Sequence, residues 1–491
     1  MDPSSASYEN DINMEPKSDG MNQVQRIVKN IGVTGLAQVL TSLMAFILLI
    51  YLARILGEAD FGIYNFAMSV TALFVVITDL GVNQLLVREI ARERDRSSEY
   101  VNSAVTLKIP LSIMTFIGIV LFSWIFRYGD KVVILLYLLG LYNILLTVSS
   151  TYLSLFQAWE KMEYVATFQI IEKIIVVSLG LYVLILGYGV VAIGCVYLIA
   201  GFFDICVALL ISKRIVKHEL DFNLKFQKSI LIKALPLAVG SIFSIVFFRI
   251  DSVILGFLKG YAAVGIYTAA YNPLLTLSSI IGGMFSSALY PVMSRYFRKD
   301  RNSLQKLIET SSKYIALIGM PITVFLITAA DKVIFILYGG KYLDSIICFQ
   351  ILSFFIVFRL MNPTIGTFLI AIEKQNVQVP IIVLTAAFNV ILNLILIPEF
   401  SYIAASISTV LSEMMLYYLF AYFIKKYHGP TKIHSQIIKP FIASVPMAAV
   451  ISLLDTPLII PVAVLVYLGC LLLLKALDED DMKIIRSVLS F

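Results

Sequence analysis

The feature that most constrains this chain is a succession of uninterrupted apolar runs, each about 20 residues long, separated by short charged or Gly/Pro-marked connections. Wound as a helix rising about 1.5 Å per residue, such a run crosses a hydrocarbon core of about 30 Å. In hydrocarbon every backbone N–H and C=O must find a partner inside the segment, and a helix provides one for each. Composition agrees. Of the 491 residues 59% are hydrophobic and 14% are charged, where a soluble chain carries about 25% charged residues. The mean hydropathy is +0.89. An all-α polytopic membrane protein is expected.

Punctuation divides the chain into fourteen spans, at 31–53, 61–82, 102–126, 132–156, 164–186, 190–212, 233–256, 264–291, 313–338, 345–371, 376–398, 402–424, 437–455 and 458–476. Only "GYG" (187–189) parts the fifth from the sixth, and Pro446, Pro457 and Pro461 interrupt the last two. Most of the 38 Lys and Arg residues fall in the tails and the even-numbered connections. The opposite connections hold Arg54, Arg127, Lys131, Lys259, Lys332 and Lys341. Cations accumulate on the cytoplasmic side, so a cell-membrane location with both termini inside is expected. The basic loops 87–96, 212–228 and 294–306 serve as topology signals facing anionic headgroups and require no nucleic acid.

Residues 1–30 lack an apolar h-region and a small-residue cleavage motif and are read as a cytoplasmic tail. "MNQVQRIVKN" (21–30) is a candidate interfacial helix. At the other end "DEDD" (478–481) opens a cytoplasmic tail, 477–491, with "DMKIIRSVLSF" as an amphipathic helix on the membrane.

A short repeat organises the spans. "ILG" (55–57) followed by "FGIYNFA" (61–67) returns as "ILG" (254–256) followed by "VGIYTAA" (264–270). Aligned on these motifs, Gly57, Gly62, Ile63, Tyr64 and Ala67 match Gly256, Gly265, Ile266, Tyr267 and Ala270, with a second connection four residues longer. Six spans separate the copies, so both run the same way through the membrane, a parallel repeat of the kind found in secondary transporters. The chain therefore divides into an N-lobe (31–212), a linker (213–232), a C-lobe (233–424) and an appended helix pair (437–476), the two lobes having six helices each.

A charge near the bilayer centre costs about 2.5–3.5 kcal/mol on insertion scales, so one that persists lines a cavity or meets a partner. Such charges here are Lys108, Glu172, Lys173, Asp204, Arg249, Asp251, Arg359 and Glu413, with Asp79 near a helix end. Lys108 is placed to snorkel to the cytoplasmic face, and Asp79 and Asp204 to cap or sit at the interface. Arg249 and Asp251 stand two residues apart in "FFRIDSVILG" (247–256), roughly 200° apart around a helix, and need different partners. Arg359 lies in "FFIVFRLMNPTIG" (354–366), where Asn362 and Pro363 predict a helix break. Arg249 and Arg359 either line a cavity suited to an anion or pair with carboxylates of the spans. Asp251 is either a counter-ion or a proton or cation site. Adjacent Glu172 and Lys173 face about 100° apart, which favours partners on other helices, and Glu413 either titrates or bonds between helices. Asn65 and Asn272, with Asn143, Gln157, Asn389 and Asn393, are candidates for sugar hydroxyls or for interhelical bonds.

Other chemistry finds no motif. No P-loop or Gly-rich nucleotide fingerprint occurs, which argues against an ATP-driven pump, and no catalytic residue set stands out. Cys195, Cys206, Cys348 and Cys470 lie in expected spans as small core residues. The first two would sit about 16 Å apart on one helix, so neither a disulfide nor a metal site is expected. His218, His428 and His434 fall in polar loops. A membrane glycosyltransferase would need a large outside loop with an acidic or metal-binding motif, and the outside connections are all short.

"YLARILGEADFGIYNFA" (51–67), "DLGVNQLLVREIAR" (79–92) and "RIDSVILGFLKGYAAVGIYTAAY" (249–271) resemble the prokaryotic polysaccharide and oligosaccharide flippases of the Wzx/RfbX type. These belong to the MOP superfamily with the MATE exporters and the MurJ lipid II flippases, and the resemblance covers the chain from about residue 25. It implies two six-helix lobes in a V around a central cavity, two further C-terminal helices, and alternating access. The implied substrate is an oligosaccharide linked to polyprenyl phosphate or pyrophosphate, moved from inner to outer leaflet for cell-surface glycan synthesis. Proton or sodium coupling, lipid contacts and contacts with glycan-assembly enzymes would accompany it. Arg249 and Asp251 match the family's seventh-span "R-x-D" pattern; a place for Arg249, alone or with Arg359, on the phosphate rests on their charge within the spans. A MATE-like cation-coupled exporter on the same scaffold is the alternative, and it predicts carboxylate-dominated sites.

Overall fold

The computed structural model describes residues 23–219, 221–453, 459–477 and 481. Most of both expected tails lies outside these residues. Among the described residues the elements are α-helices and short 3-10 turns. In chain order they are α1 (Gln23–Asp79), α2 (Val82–Arg92), α3 (Ser97–Ile125), α4 (Asp130–Ala158), α5 (Met162–Ile185), α6 (Val190–Ser212), α7 (Leu224–Lys259), α8 (Tyr261–Lys299), α9 (Arg301–Thr328), α10 (Ala330–Tyr338), α11 (Ser345–Ser353), α12 (Phe355–Ala371), α13 (Gln378–Tyr427), α14 (Ser435–Leu453) and α15 (Ile459–Leu473).

Ten of these are long and apolar enough to cross a membrane, or eleven if α11 and α12 form one span bent by 43°. The fourteen expected runs exceed that count because α1 and α13 hold two runs each and α15 is short. With 57 and 50 residues, α1 and α13 would be about 85 and 75 Å long if straight, over twice a hydrocarbon core. Each turns back at one non-helical residue, Gly57 (φ 75°, ψ 177°) and Ser401 (φ 51°, ψ −130°). Large apolar side chains such as Trp124, Ile185 and Leu465 face outward, as a lipid-facing surface requires.

The predicted break at Asn362–Pro363 is not there. Pro363 lies inside α12, and the bend falls earlier, at Phe354. Proline removes one N–H and leaves the carbonyl four residues back, that of Arg359, without its helical donor. Packing on α8, α9 and α13 holds the helix straight through that gap. The cysteines also differ from expectation: Cys348 is buried, whereas Cys195 and Cys206 are exposed.

The lobes cross where the repeat lies. A Cβ on Gly62 would stand 1.7 Å from the Tyr261 carbonyl oxygen, and one on Gly265 would stand 2.1 Å from that of Glu58. The two contacts are reciprocal, since each glycine meets the residue four before its counterpart, as a pseudo-two-fold axis demands. They also correct the alignment. Gly57 corresponds to Gly260, whose dihedrals (φ 85°, ψ 178°) nearly equal its own. The offset is then constant through Gly62/Gly265 and Tyr64/Tyr267, and no insertion is needed.

More bonds seal this end. Arg54 donates from Nε to the Leu337 carbonyl (2.7 Å) and from Nη2 to that of Ile336, at the C-terminus of α10, where a helix dipole favours a cation. The Tyr342 hydroxyl donates to the Ala53 carbonyl at 3.0 Å, and Lys341 Nζ to the Arg54 carbonyl at 3.0 Å. Past the crossing α8 leaves lobe one, and Gly283, Met284, Ser287 and Ala288 are exposed. At the far, basic end the contact runs through α7. Its first half packs on α2, with Gly81 against Ala234 and Ala238. The linker is fastened to α3 by Ser103 Oγ donating to Asp221 Oδ2 (2.6 Å) and by Asn102 Nδ2 donating to the Lys217 carbonyl (2.8 Å). α7 thus begins at Leu224, nine residues before the expected lobe boundary, and belongs to both lobes. The last pair, α14 and α15, packs on α9, with Tyr467 donating to the Leu317 carbonyl (2.9 Å).

Gly62→Leu should part the lobes at the sealed end, because the clash is with backbone that cannot rotate away. In a cysteine-free background, spin labels at the exposed positions Ala59 and Leu343 should move apart. Gly283→Leu, at a position with nothing within 4 Å, should leave that distance unchanged.

Candidate functional site

Arg249 and Asp251 leave α7 in different directions, as the i, i+2 spacing requires. Asp251 turns into lobe two and is buried. Its carboxylate accepts from the Tyr267 hydroxyl (2.9 Å), from Thr409 Oγ1 (2.8 Å) and from Asn393 Nδ2, which also donates to Asn389 Oδ1 (3.1 Å). No cation of the described residues pairs with it. A buried carboxylate without a counter-ion depends on such donors. Asn389 and Asn393 therefore hold Asp251 and do not reach for a guest, while Tyr267 and Thr409 were not foreseen. Tyr267 had a signal, because it repeats Tyr64. In lobe one the position equivalent to Asp251 is the buried Leu48, and Tyr64 shares a hydrogen bond with Tyr197 (2.7 Å).

Arg249 faces the other way. It is half-buried, and no hydrogen bond or ion pair with another described residue is formed. Tyr64 of lobe one and Tyr271 of lobe two both lie within electrostatic range of it.

Arg359 takes the second of the alternatives left open for it. Its Nη1 is 3.0 Å from Glu413 Oε1, and its guanidinium lies 4.4 Å from the centre of the Phe248 ring. Glu413 also accepts from Asn362 Nδ2 at 2.7 Å through Oε2. Beside this group, α7, α12 and α13 line an open cavity of about 260 Å³ bordered by Phe248, Arg359, Asn362, Thr367, Gln378 and Phe420 among others.

The remaining candidates are structural in this conformation. Asn272 Nδ2 donates to Asn65 Oδ1 (3.1 Å), a bond between the lobes, and Asn65 Nδ2 is occupied by the Phe61 carbonyl (2.8 Å). Glu172 accepts from the Tyr142 hydroxyl (2.8 Å), and its neighbour Lys173 approaches to 3.3 Å. Pairing of the two neighbours departs from expectation. The flexible four-carbon stem of lysine covers the arc that the backbone leaves between them. Lys108 does not snorkel. It is fully buried, with Asp79 Oδ1 at 2.9 Å, Asn83 Oδ1 at 2.7 Å and the Thr147 carbonyl at 2.9 Å. Three acceptors use all three ammonium N–H groups, so the charge has no need of water.

A family model described as "Polysaccharide biosynthesis protein" matches residues 27–297. The chain is 24% identical over 411 residues to the "Capsular polysaccharide biosynthesis protein CapF" of Staphylococcus aureus, covering 82% of this chain and 100% of that one. It is 23% identical over 412 residues to the "Probable low-salt glycan biosynthesis flippase Agl15" of Haloferax volcanii, covering 83% and 85%. In architecture it is similar to the inward closed conformation of the lipid II flippase MurJ, with a TM-score of 0.73 and 16% identity over 90% of this chain and 98% of that one.

Glu413→Leu should strand Arg359 in the spans and destabilise the protein by about 3–5 kcal/mol. Arg359→Met combined with Glu413→Leu should recover most of that loss, and Arg249→Met, with no ion pair to break, should cost under about 1 kcal/mol. Denaturant unfolding in mixed micelles measures all three.

Proposed function

The chain belongs to the polysaccharide biosynthesis protein family, and on that premise we propose that it is a flippase for a lipid-linked oligosaccharide. The polar headgroup occupies the space between the lobes while the polyprenyl tail stays in the bilayer. Arg249 carries this reading: it is a permanent cation on the face of α7 turned away from Asp251, and no carboxylate of the described residues pairs with it. A phosphate or pyrophosphate at the head of the lipid supplies the missing charge, and hydrogen bonds to charged groups contribute about 1.5–3 kcal/mol each. Arg359 is already paired with Glu413, so the phosphate role falls to Arg249.

The excess of Lys and Arg at the end bearing the linker supports a cytoplasmic location for that end and both termini. On that reading the sealed Gly62–Gly265 end faces outside, as expected of an inward-facing step of alternating access. Transport requires the Arg54, Tyr342 and Asn65–Asn272 bonds to break as the lobes rock. Asp251 is the coupling group. Protonation, or a monovalent cation at its oxygen-rich surroundings, changes the hydrogen bonds that hold α7 to α8 and α13. A MATE-like exporter of organic cations would need carboxylates facing the guest. Asp251 and Glu413 are instead buried and bonded inside lobe two.

In proteoliposomes with a fluorescent polyprenyl-pyrophosphate oligosaccharide, Arg249→Ala should slow translocation at least tenfold and Arg249→Lys less. Undiminished translocation by Arg249→Ala, or drug efflux without glycan movement, would overturn the reading. Asp251→Asn keeps the shape of the group and should abolish the dependence of rate on an imposed proton or sodium gradient. A mutant rate that still follows the gradient would move the coupling elsewhere.

A further inference from the structure

The cavity inside lobe two has a chemistry different from that of Arg249. We infer that it holds one uncharged sugar ring, the one joined to the lipid phosphate. The inference rests on the flippase reading and adds a second subsite to it.

Size bounds the guest. A cavity of about 150 Å³ takes up benzene, so about 260 Å³ has room for one six-membered ring with substituents, while the rest of an oligosaccharide would lie outside it. Charge narrows it further. Arg359 is neutralised by Glu413 at 3.0 Å, so the wall asks for no anion, and the guanidinium repels a cation. The free polar groups complete the description. Asn362 Nδ2 donates to both Glu413 Oε2 (2.7 Å) and the Glu413 carbonyl (3.2 Å), which fixes the amide orientation. Its Oδ1 is then buried with no partner. Gln378 is fixed likewise, with Nε2 donating to the Gly366 carbonyl at 2.5 Å, which leaves Oε1 to accept. Arg359 uses only Nη1 on Glu413, and its other N–H groups remain to donate. The wall offers acceptors and donors side by side. Hydroxyls both give and take a hydrogen bond and fit such a wall, whereas an ionised phosphodiester has no proton to give to Gln378 Oε1.

Phe248 and Phe420 supply apolar ring faces beside these groups, the combination of aromatic wall and few polar anchors common in small-molecule sites. Location links the two subsites. Phe248 and Arg249 are successive residues of α7, so a phosphate at Arg249 stands beside the mouth that Phe248 borders. The sugar bonded to that phosphate is the part of the headgroup within reach.

The test uses the full chain in nanodiscs and saturation-transfer NMR with glucose, galactose, N-acetylglucosamine and N-acetylgalactosamine, and with inorganic phosphate as competitor. At least one sugar should receive saturation at about 10 mM, where a millimolar site is mostly filled. Thr367→Trp and Ser244→Phe fill the cavity from opposite walls, and each should weaken sugar binding at least tenfold. Phosphate should not compete. No transfer from any of the four sugars, transfer that survives both filled variants, or competition by phosphate would overturn the inference. Translocation separates the two levels. If Thr367→Trp carries glycan at the unaltered rate, the subsite is wrong and the flippase stands. If the wild type binds sugar but moves no lipid-linked glycan, the subsite stands and the flippase is wrong.

Discussion

A charge inside hydrocarbon must be answered by a partner, and in this protein the choice of partner sorts the spans into structure and site. Lys108 is answered by Asp79, Asn83 and a carbonyl, Arg359 by Glu413 and the Phe248 ring, and Asp251 by three side-chain donors. Each of these arrangements ties helices together, and each would be strongly destabilising to break from one side. Of Lys108, Lys173, Arg249 and Arg359, the basic residues deep in the spans, Arg249 alone has no such answer within the described residues. The same rule that makes the others scaffold leaves it free for an anion that arrives from outside the chain.

The reciprocal contact of Gly62 and Gly265 explains why a repeat is visible at all. Two lobes that cross on a pseudo-two-fold axis need a residue without Cβ at the same place in each, because side chains there would occupy the other lobe's backbone. Most of the chain escapes that demand, since lipid-facing positions accept any apolar residue, and so the repeat shrinks to a few letters around the crossing. Motif matching set Gly57 against Gly256 because "ILG" is common in apolar helices. Backbone conformation sets it against Gly260, the residue that turns the chain back.

Span number, lobe order and the separation of Arg249 from Asp251 were legible in the sequence because hydrophobic period and helical angle fix them locally. What was not legible depends on which helix neighbours which. Glu413 lies 54 residues from Arg359 and 51 from Asn362, and nothing in either segment names the other. Lys173 turning to Glu172, and Lys108 turning inward, depend on side-chain flexibility and on acceptors from α1, α2 and α4. Pro363 predicted a break, but tertiary packing overrode the local rule and put the bend at Phe354.

The placement of Arg249 and Asp251 on one helix also gives coupling a mechanical route. α7 rests Ala234 and Ala238 on Gly81 of lobe one and buries Asp251 in lobe two, and it contains Pro236, which weakens the helix within the stretch that touches lobe one. Asp251 holds the second half through Tyr267 on α8 and through Asn393 and Thr409 on α13. Neutralising that carboxylate removes the charge that orders all three donors, so the second half of α7 is released from one face while Arg249 projects from another. A small rotation of the helix then alters the reach of Arg249 into the space between the lobes. Lobe one, with Leu48 in the equivalent place, has no such release. Under the proposed coupling, the asymmetry between two lobes of one repeat would let an ion on one side of α7 act on an anion at the other, with no wire of residues needed beyond the helix itself.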